Sequence, residues 1–316
     1  AKLLRSAFPG MLLAHLAADN FAVFADAHDA QERIEYASQQ VALFVNNPNI
    51  ELKAGIRIFE SDADASNTTR AFDEAKLACE TIKRDATRIY AVYSPEMGRQ
   101  LTMKSYVREH FDEALDLGYI KVYYQPVIRT LTGKLCGFEA LARWESPTHG
   151  RLSPADFIPA LEEARLIHRL DAYVVEQVAK LHHNLTSNDQ PTLPVSFNLS
   201  RLDFALMDCP AVVEDIVRRY SLPRSLFHVE VTENALVENA GLIQDGVQRF
   251  RELGYEVWLD DFGSGYSSLN VLKDYKFDEL KLDMAFLRTF NEASTKIIRS
   301  SVCLAKELGM HTLAEG

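Results

Sequence analysis

The chain has 316 residues, of which 47% are hydrophobic and 25% charged, and its formal net charge is -11. That length and apolar content suit two domains, or one large barrel with a smaller companion. The acidic balance argues against binding to DNA or RNA polymers, because phosphate backbones are held mainly through excess Lys and Arg, although a small anionic ligand stays compatible if metal ions screen it. No apolar run approaches the length of a membrane span, and Ala1-Lys2-Leu3-Leu4-Arg5 is too short and interrupted for a signal peptide, so a cytoplasmic location is expected. Cys79, Cys136, Cys209 and Cys303 stand far apart with no Cys-x-x-Cys pair, which fits incidental thiols in a reducing compartment and disfavours zinc.

In chain order, 11–16 and 21–24 read as strands flanking Ala17-Ala18-Asp19-Asn20, a β-hairpin. Helical periodicity follows over 30–45 and 69–83, separated by a strand at 52–59, and 88–93 reads as a closing strand. These elements predict a small α+β module over 1–98. A connector helix is expected over 99–118, with Val107, Phe111, Ala114 and Leu115 on one face and Gly118 as its stop.

Beyond 119 the rhythm changes. Strands at 120–127 and 135–141, joined by Leu131-Thr132-Gly133-Lys134, predict an antiparallel first pair. Strands at 195–199, 228–231, 256–259, 279–282 and 311–314 then alternate with helices around 171–183, 211–220, 242–253 and 294–308. Such repetition predicts an α/β fold, a TIM-like (β/α) barrel whose first strand is antiparallel.

Barrels of this type place their chemistry at the C-terminal ends of the strands, where this sequence collects Glu139, Asn198, Glu230, Asp260, Asp261, Lys281 and Glu315. One acid at a strand end is usually a helix cap. So many carboxylates converging on one mouth would be electrostatically costly without a cation. Within Val257-Trp258-Leu259-Asp260-Asp261-Phe262-Gly263-Ser264-Gly265, an apolar strand ends in two adjacent acids followed by two glycines, and Ser267 or Ser268 is placed to cap a following helix. The oxygen-rich set, with neither His nor Cys, suits Mg2+ or Mn2+. Those ions work chiefly on phosphate esters, and in a two-metal site they lie roughly 3.5 to 4 Å apart. Lys281 would orient water or neutralise charge on phosphorus, its simpler role being an ion pair with the same acids.

Seven separated motifs carry a family resemblance: Gln125-Pro126, Gly137-Phe138-Glu139-Ala140-Leu141-Ala142-Arg143-Trp144, Phe197-Asn198-Leu199-Ser200, Glu230-Val231-Thr232-Glu233, Asp260 to Gly265, Lys281-Leu282-Asp283 and Ala314-Glu315-Gly316. From about Tyr106 onward the chain resembles the EAL-type cyclic di-GMP phosphodiesterases. The resemblance implies hydrolysis of cyclic di-GMP to linear pGpG by a homodimeric enzyme. It assigns one metal to Glu139, Asn198, Glu230 and Asp260, and a second to Asp260 and Asp261. Lys281 and Glu315 would assist the attacking water, Glu139 would serve in catalysis as well, and Glu233 would anchor the loop after Asp261. Gln125, Leu141 and Arg143 would contact the ligand. That loop would also couple dimer contact to metal binding.

The hairpin at Ala17 to Asn20 and the helix around Phe72-Asp73-Glu74-Ala75-Lys76 resemble a degenerate GGDEF-type diguanylate cyclase domain. Ala17 and Ala18 stand where that family has Gly-Gly, and Asn20 where it has its catalytic Glu, which implies an inactive, regulatory unit. The expected EAL barrel ends one strand early, so the chain is expected to be a fragment or to lack that strand. The alternative reading is a receptor that binds cyclic di-GMP without cutting it and signals through the connector. His149, His168, His182 and His183 match no catalytic motif, and Trp144 and Phe157 read as core residues before guanine-stacking ones.

Overall fold

The computed structural model describes residues 1–17, 19–45, 51–59, 67–83, 85, 87–238, 240–263, 272–273, 275–283 and 291–314. The chain divides into two compact units, Ala1–Met103 and Lys104–Gly316.

In the first unit, helix α1 (Lys2–Ala7) precedes an antiparallel hairpin of β1 (Leu12–Ala17) and β2 (Asn20–Phe24), where Ala17 pairs with Asn20 across the turn. Helix α2 (Ala30–Val45) buries Ile34 and Ala37 against Leu4, Phe8 and the hairpin's Leu13, Phe21 and Val23. A second small sheet pairs β3 (Ala54–Ile56) with β4 (Tyr90–Val92) in parallel, under α3 (Thr68–Thr81). Both strands are shorter than the apolar runs predict. Lys53 donates to the carbonyls of Asp85 and Arg88, and Arg57 turns aside to the Glu74 carboxylate at 2.6 Å, so the flanking residues serve polar contacts. Gly55 lets α3 lie against the strand, since a Cβ there would collide with the Ala75 carbonyl.

Helix α4 (Pro95–Asp116) starts four residues before the expected position, at a proline suited to a first helical turn. It buries Val107, Phe111 and Ala114 of the predicted stripe, leaves Leu115 half-buried, and stops before Gly118.

The second unit opens with β5 (Ile120–Arg129) antiparallel to β6 (Lys134–Ser146), as expected, and β6 also pairs with the short β7 (Gly150–Leu152). There follow α5 (Pro154–Glu163), α6 (Ile167–Ser187), β8 (Val195–Asn198), α7 (Arg201–Leu206), α8 (Cys209–Arg219), β9 (Phe227–Thr232), α9 (Glu233–Glu238), α10 (Ala240–Leu253), β10 (Glu256–Phe262), β11 (Glu279–Leu282), α11 (Glu292–Glu307) and β12 (His311–Ala314). The strands form one curled sheet in the order β12-β11-β10-β9-β8-β6-β5, parallel from β6 through β12. This is the TIM-like arrangement with an antiparallel first strand.

Strand β7 and helices α5 and α7 were not expected. Both helices open on a Ser-x-x-Asp capping box, Ser153 with Asp156 and Ser200 with Asp203, a local signal that could have found them. Alternation then sorts the strands. Phe197, Val229, Val231, Val257, Leu259 and Leu280 are buried, while residues of the other parity lie on the sheet's second face. Trp144 and Phe157 are fully buried and pack edge-on with ring centres 6.0 Å apart, so both are core residues. His182 is buried beside Phe227, a packing position too.

Candidate active site

Strand register gathers the polar residues. Gln125 pairs with Glu139, Glu139 with Ser196, Asn198 with Glu230, and Thr232 with Asp260. Because paired residues share a face, Glu139, Asn198, Glu230 and Asp260 line one side of the curled sheet, the last three near the C-terminal ends of their strands and Glu139 in the middle of the long β6. Lys281, on the penultimate position of β11, projects among them and is fully buried.

The lysine Nζ lies 2.6 Å from Glu230 Oε2, 3.2 Å from Asp260 Oδ1 and 3.4 Å from Glu139 Oε2. Asn198 Nδ2 donates to the other oxygen of Glu139, Oε1, at 3.3 Å. Burial pushes the Glu230 carboxyl up; Lys281 opposes this, Glu139 and Asp260 add to it, and the group titrates at about 8. Burial works to lower the Lys281 ammonium, but Glu230, Asp260 and Glu139 hold it well above the usual lysine range.

Asp260 and Asp261 lie within β10, which runs on to Phe262, rather than beyond its end. Asp261 adopts a left-handed φ of 55°, its N–H donating to Asp260 Oδ1 at 2.8 Å, and Gly263 follows at φ 95°. Departure from extended geometry therefore begins at the second acid, a position where Asp is tolerated better than most residues. Glu233, the first residue of α9, is fully buried and accepts the Gly263 N–H on Oε2 at 2.8 Å. It thus holds the chain leaving Asp261. Residues 264–270, including Ser267 and the rest of the coupling loop, lie outside the described residues, as does Glu315.

Gln125 is exposed on β5, and Leu141 and Arg143 are half-buried on β6. Arg143 Nη1 donates to the Ala142 carbonyl at 2.8 Å. Sequence reasoning missed a polar cluster behind Asn198, where Ser200 meets Asp203, Asp171 and Glu162. The Ser200-x-x-Asp203 capping box was its visible part.

The residues present fit a hard divalent cation. Glu230 Oε1 is buried without a hydrogen-bond partner, an arrangement that costs free energy unless a cation satisfies it. Its neighbours Glu139, Asn198 and Asp260 offer oxygen donors only. Among the described residues no three His, Cys, Asp or Glu form a ready cage, the carboxylates being drawn around the Lys281 ammonium.

Comparison with known proteins bears on the family. Residues 108–316 match the family model described as the EAL domain. The cyclic di-GMP phosphodiesterase PdeR of Escherichia coli is 30% identical over 317 residues, covering 96% of this chain and 47% of its own length. The bifunctional diguanylate cyclase/cyclic di-GMP phosphodiesterase MucR of Pseudomonas aeruginosa is 26% identical, covering 96% of this chain and 45% of its own. The chain spans about a third to a half of the length of the curated relatives it matches. A solved structure of the PaMucR phosphodiesterase in complex with c-di-GMP superposes with a TM-score of 0.62 at 30% identity, covering 66% of this chain and 86% of that one. With the motif residues lining one sheet face and the family model spanning the second unit, the chain belongs to the EAL-domain family.

Proposed function

We propose that the second unit hydrolyses one phosphodiester bond of cyclic di-GMP, giving linear pGpG, with Mg2+ or Mn2+. The observation that carries this reading is the Lys281-centred set of Glu139, Glu230 and Asp260, with one buried Glu230 oxygen left for a cation. PdeR and MucR, both named as cyclic di-GMP phosphodiesterases, support the substrate. Glu139, Asn198, Glu230 and Asp260 would hold one metal, and Asp260 with Asp261 a second. Bound divalent cations supply positive charge to a phosphate undergoing in-line displacement.

The chain's own residues have separate tasks. The buried Lys281 ammonium neutralises charge that grows on the phosphorus oxygens as water attacks, and in a dry site such a preorganised charge acts strongly. Glu315 would assist the attacking water by taking its proton, and solvent would supply the proton that the O3′ leaving group takes up as its bond to phosphorus breaks. Arg143 suits the second phosphate because its guanidinium can bind two oxygens at once, while Gln125 and Leu141 contact the nucleotide from the same sheet. Glu233 keeps the backbone at Gly263 in place for Asp261.

The first unit we read as a degenerate GGDEF-type domain over 1–98, inactive as a cyclase. Ala17, paired with Asn20 across the hairpin, supports this, since a methyl group there obstructs the close phosphate approach that glycine permits. MucR, named as a bifunctional cyclase and phosphodiesterase, matches nearly the whole chain. The reading includes a homodimer, checked by sedimentation. Among the described residues no helix is long and apolar enough to cross a membrane.

The test is chromatography of cyclic di-GMP incubated with the chain and Mg2+ or Mn2+, beside Glu139→Ala. Release of pGpG that vanishes in the variant is the expected result. Tight binding of the dinucleotide with no pGpG under any metal would overturn catalysis in favour of a receptor.

A further inference from the structure

The turn that follows Asn198 is held by a pair of acids for which the proposed reaction has no use. Strand β8 ends at Asn198, and the next amide, Leu199 N–H, donates to the Glu230 carbonyl at 3.0 Å. Ser200 then caps α7. Its N–H lies 2.6 Å from Asp203 Oδ2 and 3.4 Å from Asp171 Oδ2, and its hydroxyl donates to Glu162 Oε1 at 3.0 Å. One amide therefore faces carboxyls from α7 and α6, with a third from α5 at its side chain. Asp203 is fully buried, and its Oδ1 finds no donor.

Two ionised carboxylates facing one amide repel each other, with Asp203 fully buried and Asp171 half-buried so that little water screens them. A single proton between them resolves this, giving one carboxyl a donor and the other an acceptor. Burial followed by the neighbouring Asp203 charge pushes Asp171 well above the ordinary carboxylate range, and burial lifts Asp203 to about 6. Other titratable and charged groups stand around the pair. Glu162 adds negative charge, the Cys209 thiol at the start of α8 is itself pushed up by burial and both aspartates, and Arg249 of α10 is engaged with Asp208 at 2.8 Å. Arg201 lies exposed on the first turn of α7.

We propose that Asp171 and Asp203 share one proton and act together as a positioning clamp, fixing the Ser200 amide and through it the Asn198 side chain against Glu139. The proton belongs to the pair. When it is lost to solvent at alkaline pH, two like charges converge on one N–H, the cap of α7 weakens, and Asn198 loses its fixed place beside Glu139. The consequence for turnover rests on the phosphodiesterase reading; the clamp itself does not.

The experiment uses the full chain, wild type, Asp171→Asn, Asp203→Asn and Asp203→Ala. Infrared difference spectra between wild type and each Asn variant, taken metal-free near neutral pH, should contain a protonated-carboxyl band. An Asn amide donates permanently where the shared proton donates conditionally. The ratio of Asp203→Asn to wild-type turnover of cyclic di-GMP should therefore rise about threefold or more between about pH 6.5 and about pH 9, and Asp171→Asn should behave alike. Asp203→Ala, which removes the partner outright, should be depressed throughout. Absence of the carboxyl band, or Asn variants parallel to wild type at every pH, would overturn the clamp. If the chain turns over no cyclic di-GMP, the infrared band still decides the clamp, while the phosphodiesterase reading fails separately.

Discussion

Replacing Lys281 with Met tests the centre of the site. The methionine keeps an apolar stem of similar length but removes the ammonium that lies 2.6, 3.2 and 3.4 Å from Glu230, Asp260 and Glu139. Glu230 is fully buried, so it is left uncompensated. Breaking a buried ion pair by deleting one partner costs about 3–5 kcal/mol. For a domain of about 200 residues each kcal/mol lowers Tm by about 2–4 °C, so the second unit should melt about 6–20 °C lower in metal-free buffer. The Glu230 carboxyl, already pushed up to about 8, offsets part of this loss by keeping its proton. The deficit should thus be smaller near pH 6 and grow as pH rises above about 8, where the wild-type carboxylate ionises against Lys281 while the variant's, without that ammonium, keeps its proton to higher pH. Mn2+ should stabilise Lys281→Met more than wild type, because the cation takes over the missing charge. Thermal and urea unfolding of both chains, with and without Mn2+, supplies the comparison. A metal-free Tm equal to wild type within about 1 °C would refute the reasoning.

Three other perturbations address different parts of the molecule. Glu233→Ala removes the acceptor of the Gly263 N–H, a loss of about 1–3 kcal/mol for a buried partner; the expected outcome is a higher Mn2+ requirement, read by titrating turnover against the metal. Trp144→Ala should cost about 3–5 kcal/mol in urea unfolding, since the ring is fully buried against Phe157 and Phe111, while Trp144→Phe should leave dinucleotide affinity unchanged, as a core residue and not a stacking platform would. Glu214 is held at about 2, chiefly by Arg224 against the opposing effect of burial, with Tyr255 and Arg218 assisting. A depressed acid stabilises the fold above its unfolded pKa, about 4.3, and that stability is lost as pH falls toward about 2. Because Arg218 and Arg224 are partly exposed, screening leaves about 1–2 kcal/mol, so Glu214→Gln should flatten the acid limb of stability by that amount.

The order of strands and helices, and the placing of Asn198, Glu230 and Asp260 near strand ends, could be read from the sequence because alternation has a period of two and turn chemistry is local, whereas the strand carrying Glu139 runs on to Ser146 and leaves that residue mid-strand. The buried stripe of α4 followed in the same way from its helical period. Short elements escaped. Strand β7 has three residues and α7 has six, too few for a period to emerge, and only their caps or pairings define them.

What the tertiary structure alone decided depends on how far the sheet curls. Lys281 meets acids from three other strands because the sheet brings their ends within the reach of one side chain. The left-handed backbone at Asp261 carries a local bond to Asp260, but the grip of Glu233 on Gly263 comes from 30 residues away and could not show as a propensity. Asp171 and Asp203 sit on separate helices and meet only because both pack on the turn that carries Ser200. Local sequence chose the faces and the periods, while the distances between charges, and therefore their protonation, came from packing.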